Sequence, residues 1–333
     1  MARHTFSCID GHTAGNPVRL VIGGAPRLEG ATMAERRQAF IARYDWIRTG
    51  LMFEPRGHDM MSGGFLYPPA SPDTDAAILF METSGCLPMC GHGTIGMITF
   101  ALEHGLIAPR EPGRLIVEVP AGTIEIAYAQ EGPKVTSVTI RNVPAFVAAR
   151  DVRVDVPGFG PLSIDIAYGG NFYGIIEPQG EYRGLDELGA ARIVELSRTI
   201  RELLRQQITP VHPLDPRISD VTHLLWADVP RSEGADGRNA VFYGERAIDR
   251  SPCGTGTSAR LAHLAAKGVL KVGDTFVHES YIGSRFIGRV ETETEVGGIP
   301  AIVPSISGSA FATGFNTIWI DDEDPFHAGF SVL

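Results

Sequence analysis

Four cysteines stand in the chain, at positions 8, 86, 90 and 253, and two of them share a context. Met89-Cys90-Gly91-His92-Gly93-Thr94 is echoed by Pro252-Cys253-Gly254-Thr255-Gly256-Thr257. Each copy leads into a short helical pattern. Ile98 and Leu261 stand at the same offset from their cysteines, and Gly105 and Gly268 each fall fifteen residues past them. A weaker echo lies upstream, His12-Thr13-Ala14-Gly15-Asn16 before the first copy and Tyr168-Gly169-Gly170-Asn171 before the second. Glycine-containing backbone at a helix start aims successive N–H groups at one point, and the helix dipole favours negative charge there. The anions such a site suits are a small-molecule carboxylate and the thiolate itself. A thiol in that position is expected to titrate below its usual value of about 8.5, which makes it usable as a base near neutral pH. Two such thiols suit inversion of a stereocentre: one takes a proton from one face of a carbon, the other delivers a proton to the opposite face, and the roles exchange in reverse. The helix-start amides would then stabilise the charge that develops, and the two thiols would titrate as a pair.

Other readings of the same residues fare worse. Gly91-His92-Gly93-Thr94-Ile95-Gly96 fits the dinucleotide pattern G-x-G-x-x-G, and Gly254 to Ala259 fits G-x-G-x-x-A. That fingerprint should follow a buried strand directly, whereas Pro88 and Pro252 stand just before the motifs and the strand-like Ile78 to Met81 ends well upstream. Cys86, Cys90 and His92 resemble part of a metal site, but the usual paired spacing and a second cluster are missing, so no metal is expected. Cys8 and Cys86 read as small buried apolar residues. The acidic run Asp321-Asp322-Glu323-Asp324 reads as a solvated turn after a strand.

The elements that must position the cysteines are legible in part. Thr32-Met33-Ala34-Glu35 is a capping box. It opens a helix with Phe40, Ile41, Tyr44 and Ile47 on one face, and Gly50 is expected to end it. A second helix is expected from about Asp186 to Gln207, with Leu196, Ile200, Leu203 and Leu204 as its stripe and Pro210 beyond its end. Ile116 to Val119, Thr123 to Ala127, Val138 to Ile140 and Ile318 to Ile320 read as strands. The class is therefore mixed α and β. The repeat argues for two similar domains, each supplying one cysteine at a helix N-terminus. Gln130-Glu131-Gly132-Pro133 reads as the linker between a domain of residues 1–130 and one of residues 131–309.

Bulk properties narrow the partners. Gly accounts for 39 of 333 residues, well above the usual ~7%, so tight turns and close backbone approaches are numerous. The formal net charge is -10 and the basic residues are scattered, which argues against nucleic acid. The N-terminal residues lack the apolar stretch of a signal peptide, and no run reaches membrane-span length. The expected location is the cytoplasm, where four cysteines do not form a disulfide framework.

These motifs resemble the proline racemase superfamily. Met-Cys-Gly-His-Gly-Thr-Ile-Gly at 89–96 and Asp-Arg-Ser-Pro-Cys-Gly-Thr-Gly-Thr-Ser-Ala at 249–259 look like its two signatures. Residues 10–17, 54–59 and 322–326 resemble it too, so the likeness covers essentially the whole chain. The resemblance implies the diaminopimelate-epimerase-like α/β fold. That fold has two pseudo-symmetric domains, each with a sheet curled round a central helix, and the active site in the cleft between them. A C-terminal segment from about 310 to 333 is expected to return to the first domain. It also implies a cofactor-independent racemase or epimerase acting on a small-molecule substrate, with Cys90 and Cys253 catalytic. The backbone of Gly91 and His92 and of Gly254 and Thr255 would hold the substrate carboxylate, and Asp249 would pair with the ring nitrogen. Dehydratases of this superfamily tend to carry threonine in place of the second cysteine, so retention of Cys253 disfavours dehydration. Segments 84–90 and 167–173 and residues 221–224 look most like 4-hydroxyproline 2-epimerases, in which a histidine often stands where His223 does here. Such a residue suits a ring hydroxyl, since an unpaired polar partner would penalise plain proline. Thr313-Gly314-Phe315-Asn316 is similar to true proline racemases, so that activity stays as the alternative. A homodimer is left open.

Overall fold

Apolar and β-branched runs set the architecture of the computed structural model, which describes residues 2–332. The chain divides into two compact units, residues 1–140 with 308–333, and residues 141–307.

The first unit contains β1 (Arg3–Thr13), β2 (Asn16–Gly23), α1 (Met33–Met52), β3 (Ser62–Tyr67), β4 (Ala76–Glu82), α2 (Gly91–Glu103), β5 (Arg114–Val119), β6 (Gly122–Glu131) and β7 (Lys134–Arg141). The pairing alternates. β1 with β2, β3 with β4 and β5 with β6 are antiparallel, whereas β2 with β3 and β4 with β5 are parallel. The two helices play different parts. α1 buries one stripe, including Phe40, Ile47 and Leu51, and packs against β4 and β5. α2 packs against β1, β2 and β3 and is buried without a break from Gly91 to Ala101. A helix apolar on all sides must be an interior element, and α2 is the one the sheet curls around.

The second unit contains β8 (Ala145–Val156), β9 (Gly160–Tyr168), β10 (Phe172–Ile176), α3 (Leu185–Leu188), α4 (Ala190–Gln207), β11 (Val211–His212), β12 (Asp215–Ser219), β13 (Val221–Asp228), β14 (Gly237–Tyr243), β15 (Ala247–Ile248), α5 (Gly254–Ala266), β16 (Thr275–Glu279), β17 (Arg285–Val296) and β18 (Ile299–Gly308). Successive pairings run β8–β9–β10–β13–β14–β16–β17–β18. Ala301 and Ile302 of β18 then pair with Phe146 and Ala145 of β8, which closes the ring. α5 lies against β8, β9, β10 and β17, buried from Gly254 to Ala259 and again from Leu261 to Leu264. The last strand, β19 (Ala310–Asp321), returns to the first unit and pairs along β1 from Thr13↔Ala310 to Arg3↔Asp321. Arg56 holds the segment beyond it through Asp324 at 3.1 Å and the carbonyls of Phe326 and His327 at 2.6 and 2.8 Å.

Matched details mark the two units as copies. Asp75 and Asp236 each exchange two bonds with a following strand, at Ile116 and Val277. α2 and α5 end alike. Gly105 and Gly268 adopt φ 65 and 73, and the next amides, of Leu106 and Val269, reach back to Ala101 and Leu264. This is the Schellman termination that a left-handed glycine permits. The mixed class, the curled sheets and the central helices agree with the sequence reading.

Some details differ. Gly50 does not end α1, which runs on to Met52. A Cβ on Gly50 would lie 2.5 Å from Ile320, so close packing, not termination, requires the glycine. Ile41, expected on the buried face, is exposed. The helix expected from Asp186 is broken at Gly189, where φ is 75, into the short α3 and the long α4. Of Gln130–Pro133, read as a linker, the first two residues end β6 and only Gly132, at φ 60, and Pro133 form the tight turn into β7. The units accordingly divide ten residues later. Among the described residues, no helix is long and apolar enough to cross a membrane.

Candidate active site

Cys90 and Cys253 occupy the same address, the N-cap of the central helix in each unit. Both helices are thirteen residues long, and neither has a side-chain hydrogen bond capping its first turn. Helix geometry leaves the amides at 91–92 and 254–255 without intrahelical acceptors, and they carry the positive end of the dipole. The third residue of each helix is a glycine for a shared reason. A Cβ at Gly93 would lie 2.9 Å from Cys90 Sγ, and one at Gly256 would lie 3.1 Å from Cys253 Sγ. Each thiol therefore folds over the first turn into space that only glycine leaves. The upstream echoes serve these turns. Thr13 donates to the His92 carbonyl at 2.8 Å, and Asn16 Nδ2 lies 3.0 Å from His92 Nε2. In the other unit Asn171 Nδ2 donates to Thr255 Oγ1 at 3.4 Å. Gly169 packs so closely on α5 that a Cβ would sit 2.3 Å from the Thr255 carbonyl.

The side chains around the two sulfurs differ. Cys90 Sγ lies 3.4 Å from Glu82 Oε1 and 3.7 Å from His92 Nδ1, and all three residues are buried. Ser62 Oγ lies 2.7 Å from His92 Nε2 and fixes the ring. The donor atoms of Glu82, Cys90 and His92 fall within 4.8 Å of one another. Two of their separations are hydrogen-bond contacts, both made by the Cys90 sulfur. Cys86 takes no part in it. That residue belongs to the apolar core of the first unit together with Cys8, and burial pushes both thiols up to about 12.

Cys253 faces hydroxyls. Tyr173 Oη lies 3.3 Å from its sulfur and 2.5 Å from Thr255 Oγ1. Upstream, Asp249 Oδ1 accepts from the amide and hydroxyl of Ser251, both at 2.8 Å, and Ser251 Oγ accepts from the Cys253 amide at 3.1 Å. Cys253 has φ 63, a left-handed conformation uncommon for a residue with a side chain. The expectation of a depressed thiol pKa is overturned here. Burial raises the Cys253 value first and the Asp249 charge adds to it, while Tyr173, the Gly256 amide and Thr255 pull the other way. Desolvation outweighs the helix terminus, so this group rests as the thiol. His223 is buried on β13 in register with Tyr173 of β10. Its ring lies 4.8 Å from that of Tyr173, and its Nδ1 lies 2.7 Å from Thr222 Oγ1. The second unit therefore brings His223, Tyr173, Thr255, Asp249 and Cys253 into one cluster.

A family model described as proline racemase matches residues 8–331. The chain belongs to the proline racemase family. A 4-hydroxyproline 2-epimerase of Ancylobacter novellus is 60% identical over 333 residues, covering 100% of both chains. Among solved structures, a hydroxyproline epimerase from Agrobacterium vitis with bound trans-4-hydroxy-L-proline superposes with a TM-score of 0.92 at 32% identity, over 99% of this chain and 95% of that one. A probable proline racemase from Agrobacterium radiobacter K84, with bound carbonate, gives 0.91 at 33% identity over 98% and 96%.

Sequence reasoning missed two residues beside the sulfurs in this candidate site. Glu82 ends a strand, Ala76–Glu82, whose every residue is buried. A single carboxylate closing so apolar a run was the available signal, because a buried charge needs a partner. Tyr173 carried no signal of its own. Only the pairing of β9, β10 and β13 sets it over Cys253.

Proposed function

We propose that this protein is a cofactor-independent 4-hydroxyproline 2-epimerase, which interconverts trans-4-hydroxy-L-proline and cis-4-hydroxy-D-proline by inversion at the α-carbon. The observation that carries the reading is a thiol at the N-cap of the buried central helix in each unit, over a first turn that lacks a side-chain cap. In this proposal one sulfur, as thiolate, removes the α-proton from one face and the other, as thiol, protonates the opposite face. Amides of Gly91 and His92 and of Gly254 and Thr255 hold the substrate carboxylate and stabilise the charge that spreads into it. Asp249 pairs with the ring ammonium. Raised Cys253 basicity fits a resting thiol, which makes it the proton donor in the first half of the cycle.

Substrate choice rests on His223 and on the full-length likeness to an enzyme bearing that name. His223 Nδ1 lies 2.7 Å from Thr222 Oγ1, and the tautomer in which the hydroxyl donates there carries the ring proton on Nε2, which suits a ring hydroxyl. A site built around such a donor rejects the analogue that lacks the hydroxyl.

Incubation in deuterated water, separately with trans-4-hydroxy-L-proline and L-proline, tests this by α-deuteration and optical rotation. Hydroxyproline is expected to invert with one solvent deuteron gained, far faster than proline. Exchange with neither substrate would refute the reading. Faster turnover of proline would replace it with proline racemisation.

A further inference from the structure

The two N-cap cysteines differ in backbone as well as in surroundings. Cys90 is extended, with φ -139 and ψ 107, which any residue adopts. Cys253 combines φ 63 with ψ 111, a ψ beyond the small left-handed well. A residue strained in this way persists only where its neighbours hold it. We propose that Asn239 and Thr257 are positioning residues that clamp the Pro252 carbonyl and so hold Cys253 in place for proton transfer. The inference rests on the epimerase reading and deepens it.

The angle φ at residue 253 is set by how the Pro252–Cys253 peptide plane is turned, and that plane is pinned at both ends. Its oxygen accepts from Asn239 Nδ2 at 2.7 Å and from Thr257 Oγ1 at 3.2 Å. Its N–H donates to Ser251 Oγ at 3.1 Å. On the far side of the α-carbon, the Cys253 carbonyl accepts from the Thr257 amide at 2.7 Å, which fixes the next plane to α5. Residue 253 is therefore held between two fixed planes. The Asn239 amide is oriented by the same contact, because exchanging its oxygen and nitrogen would set two acceptors 2.7 Å apart. His278 completes the set. Its Nδ1 lies 2.9 Å from Thr257 Oγ1 and its Nε2 lies 3.1 Å from Asn239 Nδ2, and the neutral tautomer with the proton on Nδ1 serves both contacts. Asn239 Oδ1 is buried and has no hydrogen-bond partner among the described residues. An orphaned buried oxygen destabilises the fold, so stability alone does not account for an asparagine at this position.

The first unit supplies the comparison. Counted from the matched Asp75 and Asp236, Ile78 stands where Asn239 does. Counted from the matched Ile116 and Val277, Val117 stands where His278 does. All four side chains are buried. The threonines four residues past the cysteines diverge too. Thr94 Oγ1 donates to the Cys90 carbonyl at 2.7 Å, within its own helix, whereas Thr257 Oγ1 reaches one residue further back, to Pro252. The unit with the apolar pair has the relaxed cysteine, and the unit with the polar pair has the strained one.

Two variants test the clamp. Asn239→Ile installs the first unit's residue and removes the shorter bond together with the orphaned oxygen. Thr257→Val removes one hydroxyl at nearly constant shape. Crystal structures and steady-state rates on trans-4-hydroxy-L-proline are compared with wild type. In Asn239→Ile, φ at Cys253 is expected to turn negative while Cys90 keeps its own conformation. A displacement of ~1 Å at a reacting atom costs on the order of 10²-fold, so kcat should fall by about that factor with KM little changed, since the helix-start amides stay in place. Thr257→Val should lower kcat by about tenfold, the scale of one ordinary hydrogen bond. The urea midpoint of Asn239→Ile should hold or rise; a merely structural residue would lower the midpoint and leave the kcat of the folded enzyme alone. Wild-type kcat in either variant, or Asn239→Ile with Cys253 still at positive φ, would overturn the clamp. Should Asn239→Ile not fold, Thr257→Val carries the test. A backbone that turns at Cys253 in the variant of an enzyme whose wild type inverts no hydroxyproline would leave the clamp standing and refute the epimerase reading alone.

Discussion

A methyl group added at residue 93 should separate catalysis from folding. The Cβ of Gly93→Ala would lie 2.9 Å from Cys90 Sγ, 3.4 Å from Cys90 Cβ and 3.7 Å from Phe80 Cδ1. Only the sulfur contact is severe. Non-bonded heavy atoms settle at about 3.5–4.0 Å, so the sulfur must retreat by about 0.6–1 Å. Alanine gains about 1 kcal/mol of helix propensity over glycine, and turning the thiol off its rotamer costs about 0.5–1.5 kcal/mol. Stability should therefore change by no more than about 1 kcal/mol. Catalysis has no such compensation. A misplacement of ~1 Å at a reacting atom costs on the order of 10²-fold. Urea denaturation and initial rates of optical rotation on trans-4-hydroxy-L-proline measure the two quantities separately. Retention of more than a third of wild-type kcat would refute the reasoning, as would a destabilisation of several kcal/mol, since the alanine would then have met something other than a mobile thiol.

Other outcomes follow from the same structure. Brief treatment of native protein with iodoacetamide at pH 8 should leave Cys8 and Cys86 unmodified, because burial keeps both thiols protonated until about pH 12; peptide mapping would reveal any label. His278 is buried and its pKa is lowered from 6.5 to about 3. A depressed value means the unfolded chain binds this proton first. The stability it contributes is full above pH 6.5 and is lost as pH falls towards 3, at about 1.4 kcal/mol per pH unit. His278→Gln should flatten that part of the stability profile, and an unchanged slope would remove the assignment. Thr32→Ala breaks the capping box in which Glu35 N–H donates to Thr32 Oγ1 at 3.2 Å. It should cost about 1 kcal/mol and lower Tm by roughly 2–4 °C without changing turnover, and calorimetry beside a rate assay would check both.

What the sequence revealed and what it hid have physical reasons. The cysteine addresses were legible because a repeat records two copies of one local structure, and helix starts are written in contiguous residues. Strands such as β5 and β6 were legible through alternation over a few positions. Glu82 and Tyr173 were not, because strand pairing brings them to the sulfurs from eight and eighty residues away. Gly189 looked compatible with a continuous helix because apolar periodicity resumes beyond it. The break follows from contacts made in the folded unit: the Asp228 carboxylate accepts from the Leu185 amide at 2.7 Å at the start of α3, and the Gly189 amide closes that short turn on the Leu185 carbonyl. The protonation of Cys253 was misread for a similar reason. A helix terminus is visible in sequence, whereas the depth of burial that outweighs it is a property of the folded unit.

The enclosure of α2 and α5 has a bearing on motion. Amides in helices buried on every side cannot meet solvent by fraying, and they exchange hydrogen only when the surrounding unit opens. The hydrogen-bonded amides that begin with Thr94 and Thr257, bonded to the carbonyls of Cys90 and Cys253, should thus be among the slowest to exchange in the chain. The part of the protein that meets the reacting carbon would then share one opening free energy with the core. Most enzymes set chemistry on loops drawn from the pliable end of the stability range. In the proposed mechanism it stands on the ends of two enclosed helices, so a loss of activity on mild heating or in dilute denaturant would report the unfolding of a whole unit.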